Sequence, residues 1–165
     1  MTTKADGSYL ARMLAHVGER DTMDVLAESA AQVEAAVRRL GPAGLRNAWA
    51  PGKWTRAQVL AHLADSEMAL GFRSRQVLTQ PSHRIQEYDE AAWAALYGGE
   101  IDVEAALRTF LAARAWNLQL WRRLGEEQLG RVAVHPSRGD EALAVSLRAL
   151  AGHTLSHLRQ LEAIG

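Results

Sequence analysis

Four long stretches in which apolar residues recur at helical spacing constrain this chain more than any other feature. The first runs from about Asp21 to Leu40, with Leu26, Ala30, Val33, Val37 and Leu40 on one stripe. Asp21 or Thr22 can cap its start. Gly41-Pro42 ends it, because glycine accepts the left-handed conformation past a helix end and proline cannot continue the ladder. The second opens with Trp54-Thr55-Arg56-Ala57-Gln58-Val59. Thr55 is a good N-cap, Gln58 sits where a capping box needs it, and Trp54 and Val59 occupy the staple positions. This helix can run to about Thr79, where Gln80-Pro81 stops it. The third starts after Asp102 and reaches Leu124, with Leu107, Phe110, Leu118 and Trp121 as core candidates and Gly125 as its end. The fourth covers Ala144 to Ala163, packing through Leu147, Leu150, Leu158 and Leu161. No stretch alternates strictly as a half-buried strand does.

The connections carry less. Residues 80–101 hold a short helix, Asp89 to Tyr97, closed by Gly98-Gly99. Residues Arg131 to His135 read as partly extended, followed by Pro136 and Gly139 as turn residues, and Tyr9 to Val17 reads as a short helical arm. The expectation is an all-α four-helix bundle forming one domain over 1–165, with 1–20 as an N-terminal arm.

Composition narrows the chemistry. At 165 residues and 48% hydrophobic content the chain can bury a real core. Lys plus Arg and Asp plus Glu are both 19, so nothing marks a surface for nucleic acid or anionic lipid, and neither is an expected partner. The polar start and the absence of a long apolar run predict a cytoplasmic protein with no membrane span. There is no cysteine. A metal would therefore be held by imidazole, carboxylate or carbonyl groups, which directs attention to the six histidines.

His153 and His157 form an H-x-x-x-H in the fourth helix, which puts both rings on one face. Such a pair is as readily two solvated rings on a bundle edge as a ligand pair. Its face also carries Ser146, Ala149 and Gln160 between apolar flanks, the composition of a polar pocket wall. His62 in the second helix is the candidate third ligand. Asp65, one turn on, could orient His62, bind the ion or accept a proton. Arg73, near the same azimuth, could receive an anionic group or pair with a surface carboxylate. Glu67 projects away from His62. His16, His83 and His135 read as solvated or capping, and the tryptophans with Phe72 and Phe110 as core or pocket lining.

Two blocks resemble a known family. Trp54-Thr55-x5-Ala61-His62-Leu63-Ala64-Asp65-Ser66-Glu67 with Arg73, and Gly152-His153-x3-His157-Leu158-x-Gln160, are similar to the signatures of the DinB/YfiT-like superfamily. Tyr88-Asp89 and His135-Pro136-x2-Gly139 resemble its DinB-like branch. The likeness spans about residue 20 to the C-terminus. It implies an up-down-down-up four-helix bundle, often a homodimer. In it His62, His153 and His157 would bind one divalent metal, nickel or zinc first, iron or manganese as alternatives. Among family members are thiol transferases and a mycothiol-dependent isomerase. The resemblance therefore implies a metal-dependent S-transferase acting on a low-molecular-weight thiol and a small electrophile. A metal-dependent hydrolase, a non-catalytic metal-binding or stress-response bundle and a metal-free dimerisation bundle are the alternatives.

Overall fold

The computed structural model describes residues 7–163; the first six residues of the expected arm lie outside them. In chain order the elements are α1 (Gly7–Val17), α2 (Thr22–Arg46), α3 (Arg56–Thr79), α4 (Glu90–Leu96), α5 (Val103–Trp121), α6 (Glu126–Leu129), β1 (Val132–His135), β2 (Gly139–Ala142) and α7 (Leu143–Glu162). Three of the long helices begin at a side chain that takes up otherwise orphaned amides. Asp21 accepts from the N–H groups of Met23 and Asp24. Thr55 accepts from the Gln58 N–H while Gln58 Oε1 accepts from the Thr55 N–H, closing the capping box. Asp102 caps α5 through the Ala105 N–H.

The stop expected at Gly41-Pro42 is instead a kink. Gly41 has φ 60° and leaves helical geometry, and the chain then resumes for a last turn ending at Arg46. Pro42 stands just after the break, where a first-turn residue has no ladder bond to lose. The segment after α5 also holds more than one extended stretch. β1 and β2 form an antiparallel hairpin with His135 opposite Gly139. Gly139, at φ 77°, closes its three-residue loop. Residues 83–85 join β1 through two backbone bonds, Ile85 N–H to Val134 O and Val134 N–H to His83 O, both 2.9 Å.

The helix directions follow from residue pairings. Glu67 bonds Arg114, Arg75 bonds Asn117 and Ser74 bonds Trp121, so numbers rise together and α3 runs parallel to α5. Thr22 pairs with Arg148 and Arg39 with Glu162, making α2 parallel to α7. His62 meets His153 while Arg56 reaches Leu161 O, so α3 and α7 are antiparallel. Ser29 meets Arg114, and Leu26 packs in the same cluster as Trp121 while Val37 packs with Leu107. That makes α2 and α5 antiparallel, and the bundle is up-down-down-up. Parallel α3 and α5 explain the long connection. α3 has 24 residues, roughly 36 Å of helix, and the chain must retrace much of it between 80 and 102.

Two apolar clusters fill the bundle. One gathers Val33, Val37, Leu60, Leu63, Leu107, Phe110 and Leu161; the other Leu26, Leu118, Trp121, Leu147, Leu150 and Ala151. A polar layer separates them. Arg114 and Glu67, each 1% exposed, pair at 2.6 Å. The same guanidinium donates to Leu26 O, Ser29 Oγ and Thr154 Oγ1. One side chain thus ties α2, α3 and α7 to α5. Of the aromatics read as core or pocket lining, Phe110 and Trp121 are core, whereas Phe72 and Trp116, 63% and 67% exposed, line a surface cleft with Met68 and Arg75. Among the described residues no helix is long and apolar enough to cross a membrane.

α1 lies on α7 at a point where only glycine fits. A Cβ on Gly152 would sit 1.8 Å from Met13 O. Gly152→Ala should therefore push α1 off α7 and cost about 1–3 kcal/mol. The expected result is faster amide exchange in residues 9–17 with the rest of the bundle retained; unchanged exchange there would contradict the contact.

Candidate metal centre

The antiparallel pairing of α3 and α7 brings His62 level with His153 and His157. His62 Nε2 lies 2.9 Å from His153 Nε2, and His157 Nε2 lies 3.0 Å from the same atom. All three residues present a ring nitrogen within 4.8 Å of one another. His62 and His153 are buried, and His157 is partly exposed. Burial shifts all three toward the neutral form. The His62 ring is lowered to about 3 by desolvation and then by His157. His153 is lowered by burial, by the other two rings and by Arg114. His157 is lowered by burial, with Gln160 acting in the opposite direction.

These observations test whether a cation belongs here. Ring nitrogens 2.9–3.0 Å apart repel through their lone pairs unless a proton or a cation lies between them. With the His157 proton on Nδ1 facing Gln160 Oε1, the neutral rings supply one Nε2–H hydrogen bond for the two short contacts at His153, whereas a cation would serve all three nitrogens at once. A divalent ion suits, since neutral imidazoles are its natural donors at roughly 2.0–2.1 Å. Gln160 Oε1 stands 2.7 Å from His157 Nδ1, so it can accept that proton and leave Nε2 free to donate electrons. His153 Nδ1, which would carry that ring's proton with a cation at Nε2, is buried without a partner.

Metal-free protein should lose stability in acid. An unfolded histidine titrates near 6.5, whereas folded His62 resists protonation to about 3. Below pH 6.5 the unfolded chain thus binds the extra proton, and stability falls as pH falls through that window. His62 alone is worth about 2 kcal/mol between pH 7.5 and pH 5. Thermal unfolding of metal-free wild type and His62→Asn across that range should show the steeper fall in wild type. Equal slopes would contradict it.

The other predicted residues take different positions. Asp65 is buried and its Oδ1 accepts the Tyr97 hydroxyl at 2.6 Å. Burial raises its pKa, and the tyrosine partly offsets this. The carboxylate within 4 Å of a site nitrogen, alone among the described residues, is instead Glu90, its Oε2 3.9 Å from His62 Nε2. Arg73 makes no ion pair within 4 Å among the described residues. It donates to Gln86 O at 2.5 Å and lies 5.4 Å over the Tyr88 ring. Tyr88 in turn meets Ser66 Oγ at 3.2 Å. His135 is buried rather than solvated. Its Nδ1 accepts the Ser137 N–H, which leaves the proton on Nε2, 3.6 Å from Glu87. His16 meets Arg159, and His83 Nδ1 meets Gln80.

Sequence reasoning missed Glu90 and the Glu67–Arg114 pair. Glu90 follows the cap Asp89 in a connection whose path no periodicity reveals. Arg114 had a signal, a charge on the stripe between Phe110 and Leu118, although its partner was not evident.

Fold and site together define a class: a mostly helical bundle whose three-histidine centre is suited to a divalent ion. The chain belongs to the DinB superfamily, whose sequence profile matches residues 25–161. Two proteins of Oceanobacillus iheyensis, each named "Putative metal-dependent hydrolase", are similar to it. One is 30% identical over 73% of this chain and 70% of its own length; the other is 28% identical over 88% of each. Among solved structures, YfiT from Bacillus subtilis is described as a probable metal-dependent hydrolase with an unusual four-helix bundle topology. It aligns with TM-score 0.81 and 29% identity over 86% of this chain and 82% of its own. The mycothiol-dependent maleylpyruvate isomerase aligns with TM-score 0.72 over 87% of this chain and 60% of its own. At 16% identity that likeness is one of fold.

Proposed function

We propose that the chain is a metal-dependent hydrolase in which His62, His153 and His157 hold one divalent ion, zinc or nickel. The observation that carries this is the convergence of three neutral ring nitrogens from two antiparallel helices. An ion held only by neutral rings keeps its full charge, and when bound it supplies Lewis acidity and lowers the pKa of coordinated water. Three ligands leave room for that water, and His157, the partly exposed ring, faces the open side.

The chain's own groups do the rest. Gln160 orients His157. Glu90, half exposed beside His62, is placed to take the proton of an attacking nucleophile and return it to a leaving group. Asp65 supports the floor by holding Tyr97 of the Glu90 segment. Arg73, which feels Glu87 and Glu90 but makes no ion pair within 4 Å among the described residues, can turn to an anionic group on the substrate.

Hydrolysis is favoured over S-transfer by the relatives at 28–30% identity, both named as hydrolases. The thiol-dependent neighbour supports the fold alone. The test is a paired assay of zinc- and nickel-loaded protein on model aryl esters, and on a small thiol with a bimane electrophile. Metal-dependent ester cleavage lost in Glu90→Gln and His153→Ala is the expected result. Thiol transfer without hydrolysis would overturn the reaction, and neither activity would leave a structural metal site.

A further inference from the structure

We infer that the cleft beside the histidines is a substrate subsite selecting a flat apolar group with an anionic substituent. This rests on the hydrolytic reading of the neighbouring centre. The cleft, about 260 Å³, is lined by Trp49, Gly52, Lys53, Trp54, His157 and Gln160. It approaches the lower end of small-molecule sites, about 300 Å³, and has room for a substituted ring.

The local chain is built to make it. Ala50-Pro51-Gly52-Lys53 closes a tight turn, Lys53 N–H to Ala50 O at 3.1 Å. Proline at its first corner and glycine at φ 70° at its second are the residues of a type II turn. Ala48 pairs with Thr55, and the Trp49 N–H donates to Trp54 O at 3.2 Å. Trp49 and Trp54 are therefore direct cross-strand neighbours on one face. Both indoles remain half-buried and line the cleft.

Chemistry assigns the occupant. Two indoles at one opening offer π faces and apolar area to a flat group. Lys53 is exposed and has no carboxylate within 4 Å among the described residues, so its ammonium is free for an anion. The inner wall is His157, and Trp54 also lies against His62 with ring centroids 5.3 Å apart. A group seated in the cleft against the indoles therefore abuts His157, with its charge turned toward Lys53.

Three probes separate these contributions by calorimetric titration of the full chain, zinc-loaded and metal-stripped. They are 4-toluenesulfonate, the uncharged methyl 4-tolyl sulfone and the ringless methanesulfonate. Toluenesulfonate should bind about fivefold more tightly than the sulfone, the scale of one exposed ion pair. Methanesulfonate should bind weakest. Lys53→Met should erase the preference for charge, and Trp49→Leu should weaken both ring-bearing probes about tenfold. Equal binding of all three probes, or affinities unmoved by both substitutions, would overturn the subsite. These readouts need no turnover. Probe selectivity without ester cleavage would defeat only the hydrolytic reading. Cleavage whose KM ignores both substitutions would defeat only the subsite.

Discussion

Arg114→Ala should destabilise the bundle by about 3–5 kcal/mol, because it leaves the Glu67 carboxylate charged and without its cation in the interior. Glu67 would keep only Asn117 Nδ2, 3.2 Å from its second oxygen. Thr154, Ser29 and Leu26 O would each lose a donor. The loss reads out as a fall in denaturant midpoint with little change in m-value. Removing both charges tests whether the unpaired group is the cause. Glu67→Leu with Arg114→Met leaves no unpaired charge in this layer and should recover most of the stability. If the double variant is as unstable as Arg114→Ala, the pair is not the source. Thr154 is the immediate neighbour of His153, so the recovered variant should still differ from wild type in metal affinity.

His153→Ala should lower divalent-metal affinity by more than 100-fold while the protein stays folded. Partners that merely orient a ligand are worth roughly 10–100-fold, and His153 Nε2 stands between the other two nitrogens. Folding should survive because both apolar clusters and the Arg114 layer form without the ring. His157→Ala should fall in the same range. Gln160→Leu should cost less, within roughly 10–100-fold, since it removes only the acceptor on His157 Nδ1. Competition with a chelator of known affinity, alongside circular dichroism, separates lost binding from lost folding.

The helices were legible because they are written in local chemistry. Thr55 and Gln58, Asp102, and the stripe of Val33 and Val37 act within one or two turns. The histidine pair was legible for the same reason, since i,i+4 spacing fixes a shared face. The convergence of His62 required the antiparallel seating of α3 on α7, a tertiary fact that only the resemblance pointed to. What stayed hidden depends on contacts distant in sequence. β2 looked like loop because Gly139-Asp140-Glu141 has no apolar alternation; its pairing comes from β1 and the Gly139 turn. His135 looked solvated, but the same hairpin buries it. Phe72 and Trp116 were readable as core or pocket lining, and which of the two depends on packing: they lie exposed along a surface cleft beside Met68.

The most direct measurement is an anomalous difference map from crystals of the zinc- or nickel-loaded protein. A single peak per chain is expected, bonded to Nε2 of His62, His153 and His157 and to no other protein atom. A peak reached by the two α7 rings while His62 turns away, or one seated elsewhere, would contradict it.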